Sequence, residues 1–251
     1  MATILMPLPS KDFDPTESGV PWRVLSDRGH RVVFATPDGR LGDADPRMVT
    51  GEGLGVLARV LMADQNGRSA YAGMAQSAEF HNPIAYDAIA ETALDALLLP
   101  GGHAQGMRPY LESSRLQSTV TAFFARRKPV GAICHGVLLA ARSLVADASV
   151  LRGRKTTALT KLMELGAWAL TCSYLGDYYR TYRTTVEDEV RTALAQGDDF
   201  LRGPVALTRD SPGNLAAGFT VRDGNYLSAR WPGDAHRFAH EFAGMVERPD
   251  G

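Results

Sequence analysis

Between Thr3 and Ile133 four short apolar runs alternate with stretches of helical periodicity, and this alternation leaves few folds open. Thr3 to Leu8 reads as a first strand. Asp14-Pro15-Thr16-Glu17 supplies an N-cap residue and then proline at the first helical position, where its missing N–H costs nothing. A helix is predicted from there to about Arg28, ended by Gly29. Arg31 to Ala35, Leu94 to Leu99 and Pro129 to Ile133 read as further strands, and the stripe Leu116, Val120, Phe123, Phe124 marks a helix between the last two. Strands that alternate with helices pair in parallel through right-handed crossovers. The prediction is an α/β protein: a doubly wound, mostly parallel sheet with helices on both faces and ligand sites beyond the carboxyl ends of its strands.

The pattern weakens between Pro37 and Tyr86. Gly51 to Ala63 looks helical amid Gly, Asn and Asp, and the stretch 37–86 reads as an insertion over the core. After Cys134 the expectations are a helix from Val137 to Arg142, a short strand near Lys155 to Leu159, and a long segment to Gly203 that holds Tyr174, Tyr178, Tyr179 and Tyr182. Thr184 to Ala195 is predicted helical. Pro204 to Thr208 and Phe219 to Arg230 read as strands, the second folded at the turn dipeptide Asp223-Gly224, and Asp234 is expected to cap a terminal helix to about Glu247. No repeat, low-complexity tract or linker breaks the chain, so residues 1–251 read as a single domain.

Charge and cysteine usage narrow the partners. With 27 basic and 28 acidic residues the net charge is -1, which gives no electrostatic case for nucleic acid or an anionic membrane. The best apolar run, Ala93 to Pro100, falls far short of the ~20 residues that cross a bilayer and carries Asp95. Two cysteines are too few for a disulfide framework, and the start has neither a basic n-region nor a long apolar h-region, so a reducing cytoplasm is the expected compartment. Cys172 reads as a packing residue. No cofactor is expected, because Gly51-Glu52-Gly53-Leu54-Gly55 follows no strand. No metal is expected either: His236 and His240, with Glu241, lack an identifiable third ligand for a catalytic zinc. A small molecule is the partner that fits.

The chemistry concentrates in Lys128 to Gly136, where an apolar strand stops at Cys134 and passes through His135 and Gly136 into a helix. A side chain at such an elbow stands above the sheet edge, over the unpaired N–H groups of the new helix. A thiol there is expected to ionise easily and act as a nucleophile. His135 can line the same pocket. Leu97-Leu98-Leu99-Pro100-Gly101-Gly102-His103 is a buried strand opening into two glycines, whose N–H groups can approach a developing oxyanion. His103 reads equally as a pocket residue or a loop histidine. Glu17 sits in the first helical turn at the same edge, where a buried carboxyl donates to sulfur when protonated or moves a substrate proton.

A strand-ending Pro-Gly-Gly-His, a later Ala-Ile-Cys-His-Gly elbow and a glutamate in the first helix together resemble the ThiJ/PfpI superfamily, relatives of the class I glutamine amidotransferases. The Gly-Gly-His and Cys-His-Gly forms are most similar to its heat-shock chaperone and glutathione-independent glyoxalase branch. The resemblance runs from residue 1 to about residue 160. It implies a flavodoxin-like three-layer α/β/α sandwich, a homodimer, Cys134 as nucleophile, His135 as base and Glu17 as the carboxylic acid beside sulfur. It also implies an acidic residue about thirty positions past the cysteine that orients the histidine; Glu164 lies there, with Asp177 as a competitor. Segment 160–203 diverges, and Tyr178-Tyr179-Arg180-Thr181-Tyr182-Arg183 and the run Tyr226 to Asp234 have no counterpart, so they are expected to line the pocket or a dimer contact. Three functions follow from the resemblance. The first is a cofactor-independent cysteine enzyme on small electrophilic carbonyls, most concretely methylglyoxal to lactate. The second is a hydrolase or hydratase on carbon–nitrogen bonds, of amidase, peptidase or isonitrile hydratase type. The third is a stress chaperone or redox sensor with an oxidisable cysteine.

Overall fold

The computed structural model describes residues 1–205 and 208–248. Seven strands form one sheet: β1 (Thr3–Pro7), β2 (Arg31–Thr36), β3 (Ile84–Ala85), β4 (Ala96–Leu99), β5 (Val130–Ile133), β6 (Thr220–Asp223) and β7 (Tyr226–Ala229). Their order across the sheet is β6-β7-β5-β4-β1-β2-β3, and every pair is parallel except the β6–β7 hairpin. β4 and β5 read as unbroken apolar runs because both are buried throughout, as parallel strands covered on two faces must be.

The major helices are α1 (Pro15–Asp27), α2 (Gln65–Ala75), α3 (Ser114–Ala125), α4 (Gly136–Ala141), α5 (Lys161–Leu175), α6 (Val186–Ala193) and α7 (Ala235–Glu247). α1 carries the chain from β1 outward to β2, and α3 carries it from β4 in the opposite direction to β5. Right-handed crossovers in opposite directions put their helices on opposite faces and open a crevice between β1 and β4 at their carboxyl ends. α1 packs beside α7, while α3 and α6 pack against α4. This is the doubly wound α/β architecture that the alternation predicts. Among the described residues no helix is long and apolar enough to cross a membrane.

Several local expectations need correction. Gly51 to Ala63 is not one helix: a short helix, Pro46–Thr50, ends at Gly51, whose φ of 77° closes it, and only Ala58–Leu61 regains an α turn. Helix α2, which no apolar stripe announced, packs on α1 through small residues; its buried positions are only Gly67, Ala70 and Met74. Lys155 to Leu159 makes a single bridge, Thr156 to Phe200, because side-chain hydroxyls take over the pairing. Thr156 Oγ1 meets Tyr226 Oη at 3.0 Å, and Thr157 N donates to Ser228 Oγ at 3.0 Å. Of the strand expected over Pro204 to Thr208, residues 206 and 207 lie outside the described residues and the flanking ones are not in a strand.

Asp234 sits at the N-cap position of α7 but makes no side-chain cap. Its carboxylate accepts from Arg230 Nε at 2.8 Å, Arg230 Nη2 at 2.9 Å and Phe219 N at 2.8 Å. The cap comes from a distant residue: Asp210 accepts from His236 N at 3.2 Å and Arg237 N at 2.7 Å. Arg230 is fully enclosed and also donates from Nη1 to Pro204 O at 2.6 Å, so one buried ion pair joins the end of β7, the start of α7 and the segment before residue 206. Removing one charge of such a pair strands the other in a low-dielectric interior. Asp234→Ala should therefore cost about 3–5 kcal/mol in urea unfolding, while Arg230→Met with Asp234→Ala should recover part of that loss.

Candidate active site

Three carboxyl ends meet at the crevice. Asp14 caps α1 by accepting from Thr16 N at 2.7 Å and Glu17 N at 3.0 Å, and its own N–H donates to Gly101 O at 2.9 Å. That bond sets the first turn of α1 against the end of β4. Glu17, completely buried, then accepts from Gly101 N at 2.9 Å through Oε2 and interacts with the Cys134 side chain at the end of β5. A Cβ at Gly101 would lie 2.7 Å from Glu17 Oε2 and 2.8 Å from His135 N, so only glycine lets these strand ends close on one another.

Cys134 has φ of 57°, a left-handed conformation that a residue with a side chain adopts only where surrounding structure enforces it. The strain turns the thiol out of the strand line toward Glu17 and starts α4 two residues later. At Gly136 a Cβ would lie 2.2 Å from Leu99 O, so the elbow also requires glycine there. Cys134 Sγ lies 3.5 Å from His135 Nδ1. On the far side of the ring, His135 Nε2 is 3.1 Å from Thr181 Oγ1. The Thr181 hydroxyl has one proton, and it donates to His103 O at 2.5 Å. Thr181 therefore accepts from Nε2–H, which leaves the Nδ1 lone pair facing the sulfur.

Burial governs the titration of the group. It pushes Glu17 well above the usual carboxylate range, with the Asp14 charge adding to the shift, so Glu17 is a neutral acid. The Cys134 thiol is also pushed up, by burial first and then by Glu17 and Asp14. This corrects the expectation of an easily ionised thiol: a cysteine only 5% exposed beside a carboxyl gains less from the N-terminus of the short α4 than it loses in desolvation. Burial lowers His135 to about 3 and His103 to about 4, and lifts Asp14 to about 6. Burial thus favours the uncharged form of each group: a thiol, a carboxylic acid and a neutral imidazole.

A cavity of about 490 Å³ opens over Cys134. Asp14, Glu17, Gly102, His103 and Glu164 line it, together with Tyr179, Arg209 and Trp231 from the later part of the chain. A larger cleft of about 790 Å³ between Thr160 and Arg230 contains neither Cys134 nor Glu17.

Gly101, expected as an oxyanion donor, spends its N–H on Glu17. The Gly102 N–H makes no hydrogen bond among the described residues and borders the cavity. His103 is a pocket residue, stacked on Tyr179 at 4.3 Å, with a buried Nε2 that has no partner among the described residues. Glu164 does not reach His135. It pairs with Arg180 Nε at 3.2 Å and accepts from Val186 N at 2.8 Å, so it ties α5 to the start of α6. Asp177 is taken by Trp168 Nε1 at 2.9 Å. The place of a third triad member is held by Thr181, which no acidic-residue spacing could find. Its segment is clamped from the other side, where Arg108 donates to Thr181 O from Nε at 2.9 Å and Nη2 at 2.6 Å. The one sign of it in the sequence is the aromatic run Tyr178 to Tyr182, whose rings anchor the segment against His103 and Arg142.

A parallel α/β sandwich with a strained Cys-His elbow, a neutral buried glutamate and a glycine pair at one sheet edge belongs to the class of cysteine-elbow α/β proteins. The ThiJ/PfpI family-like model matches residues 8–204, and the chain is a member of the ThiJ/PfpI family. A deglycase of Thermococcus kodakarensis is 28% identical over 65% of this chain and 69% of its own length. Deglycase PfpI of Pyrococcus furiosus is 23% identical over 96% and 97%. Among solved structures, glyoxalase III from Candida albicans superposes with a TM-score of 0.67 at 18% identity, covering 97% of this chain and 96% of that one.

Two outcomes test the geometry. The neutral state of Glu17 means that the folded protein holds a proton the unfolded chain releases, so stability falls as pH rises above the ordinary glutamate value of 4.5. Glu17→Gln, the uncharged isostere, should gain stability relative to wild type as pH is raised from that value through neutrality, as followed by thermal unfolding. Thr181→Val should free the imidazole, seen as loss of the fixed Nε2–H tautomer by nitrogen NMR, and Thr181→Ser should restore it.

Proposed function

We propose that the protein is a cofactor-independent cysteine enzyme that adds Cys134 to small electrophilic carbonyls, most concretely a glutathione-independent glyoxalase that turns methylglyoxal into lactate. The observation that carries this reading is the position of the Cys134 sulfur. It contacts both the His135 Nδ1 lone pair and the protonated Glu17, and it shares its cavity with Gly102, whose N–H is free. The deglycase and glyoxalase III names of the relatives support enzymatic carbonyl chemistry at such an elbow.

The steps follow from the proton inventory. As Sγ attacks the aldehyde carbon, the thiol proton passes to His135 Nδ1 and the carbonyl electron pair moves onto oxygen, toward the Gly102 N–H. Nδ1 then returns the proton to that oxygen, giving a neutral hemithioacetal and a free base. The same Nδ1 takes the proton from the carbon bonded to sulfur. The electron pair moves through an enediol, stabilised by the Gly102 N–H and the Glu17 acid. Reprotonation at the neighbouring carbon leaves the thioester of the hydroxy acid. One carbon is oxidised and its neighbour reduced, so no external oxidant enters, and water cleaves the thioester to return the thiol. A thiol held protonated until an aldehyde arrives is also poorly nucleophilic toward peroxide, which suits a site of turnover more than a redox sensor.

The deglycase names favour one extension, in which Cys134 takes the same aldehyde carbon from an early adduct on another thiol. Lactate release from a preformed methylglyoxal adduct of N-acetylcysteine, faster than the adduct's spontaneous dissociation, would establish it. For the main reading, wild type should form lactate from methylglyoxal at a steady rate, and Cys134→Ala should fall to the uncatalysed background. Equal lactate formation by the two proteins would overturn it. Thr181→Val should lower kcat roughly tenfold or more by loosening the base, with KM little changed.

A further inference from the structure

Arg209 lies beyond the stretch matched by the family model and lines the Cys134 cavity. Its Nη2 donates to Val60 O at 3.0 Å and Met62 O at 2.9 Å, and its guanidinium rests over the Trp231 ring at 5.4 Å. These contacts fix the plane of the group without neutralising it. Arg209 Nη1 is buried with no hydrogen-bond partner, and no carboxylate lies within ion-pair distance of it among the described residues. Trp231 Nε1, on the ring beneath, is buried and unpartnered too. A buried donor without an acceptor is costly, and a charged one more so, so two such donors on adjoining residues that line one cavity point to an absent ligand.

None of the other charges at the cavity pairs directly with Arg209. Glu17 is a neutral acid, Glu164 is held by Arg180, and Asp14 commits Oδ1 to the first amides of α1. Asp14 feels the guanidinium's field across the cavity but does not touch it. Arg59, exposed at the rim, adds a second positive charge. The remaining wall is largely apolar, from Met48, Leu159, Met163 and Leu170. A guanidinium N–H and an indole N–H together offer two donors and one positive charge, which match the two oxygens and single negative charge of a carboxylate.

We infer that Arg209, with Trp231, is the specificity determinant of this cavity, and that its electrophile is an α-oxoaldehyde whose tail ends in a carboxylate. The inference rests on the carbonyl-addition reading for the reaction, but the anion site stands on its own geometry. The chemistry is unchanged: Cys134 adds to the aldehyde and internal proton transfer gives an α-hydroxy acid, with the tail carboxylate held throughout.

The test compares methylglyoxal with dioxovalerate, the α-oxoaldehyde with a propionate tail, whose product is α-hydroxyglutarate. Wild type should favour dioxovalerate in kcat/KM by roughly tenfold or more, as one charge-assisted hydrogen bond provides. Arg209→Met should bring the ratio of the two kcat/KM values close to one, and Arg209→Lys should keep part of the preference. Trp231→Phe, which keeps the stacking ring and removes the N–H, should reduce it. Equal kcat/KM for both aldehydes in wild type, or a ratio unmoved by Arg209→Met in a protein whose circular dichroism and unfolding midpoint match wild type, would overturn the inference. Calorimetric binding of glutarate, an unreactive dicarboxylate, separates this from the reaction itself. Binding that is lost in Arg209→Met while no aldehyde is turned over would refute the carbonyl-addition reading and uphold the anion site. Turnover of methylglyoxal with no glutarate binding would do the reverse.

Discussion

The hydrogen bond from Gly101 N to Glu17 is the contact on which the site depends. It draws the first turn of α1 against the end of β4, and the same carboxyl reaches Cys134 at the end of β5. Three strand ends are thereby held by one side chain. The arrangement works because the carboxyl is uncharged: an ionised group this deep would carry a large desolvation penalty, whereas a protonated one both accepts from Gly101 and donates toward sulfur. The glycines are the counterpart of that carboxyl, since any side chain at Gly101 would occupy the space of Glu17 itself.

A second layer orients the base. The histidine is positioned by a neutral hydroxyl, Thr181, and not by a carboxylate, so no negative charge stabilises an imidazolium. With His103, Arg142 and Arg180 also disfavouring a positive ring, the resting imidazole stays neutral. In the proposed reaction it is a transient carrier of protons between thiol, carbon and oxygen. Thr181 in turn owes its place to Arg108 and to the aromatic run beside it, which makes the segment after α5 part of the frame that holds His135.

The strand–helix alternation, the Asp14-Pro15 helix start, the β6–β7 hairpin and the terminal helix were all legible in the chain, because each rests on local periodicity or a short turn signal. The Cys134 elbow, Gly102, His103 and Glu17 could be placed at one edge because all follow parallel strands, whose carboxyl ends coincide. Helix α2 was not legible, since its buried positions are only Gly67, Ala70 and Met74, too few large apolar side chains to make a stripe. Glu164 sits at the spacing a triad member would have, yet Arg180 and Val186 N claim it, and a count of residues cannot register that competition.

Sequence by itself determined the sheet order's raw material, the Cys134-His135 pair at a strand-to-helix elbow, and the small residues that let the strand ends approach, because these depend on patterns within a few turns of chain. Tertiary structure alone decided the proton states, since burial outweighs the helix N-terminus at Cys134 and keeps Glu17 neutral. It alone decided which distant residues complete the site. Thr181 lies 46 positions from His135, whose ring it holds, and Arg209 and Trp231 lie 75 and 97 positions from Cys134, whose cavity they line, and only folding brings such distant residues together.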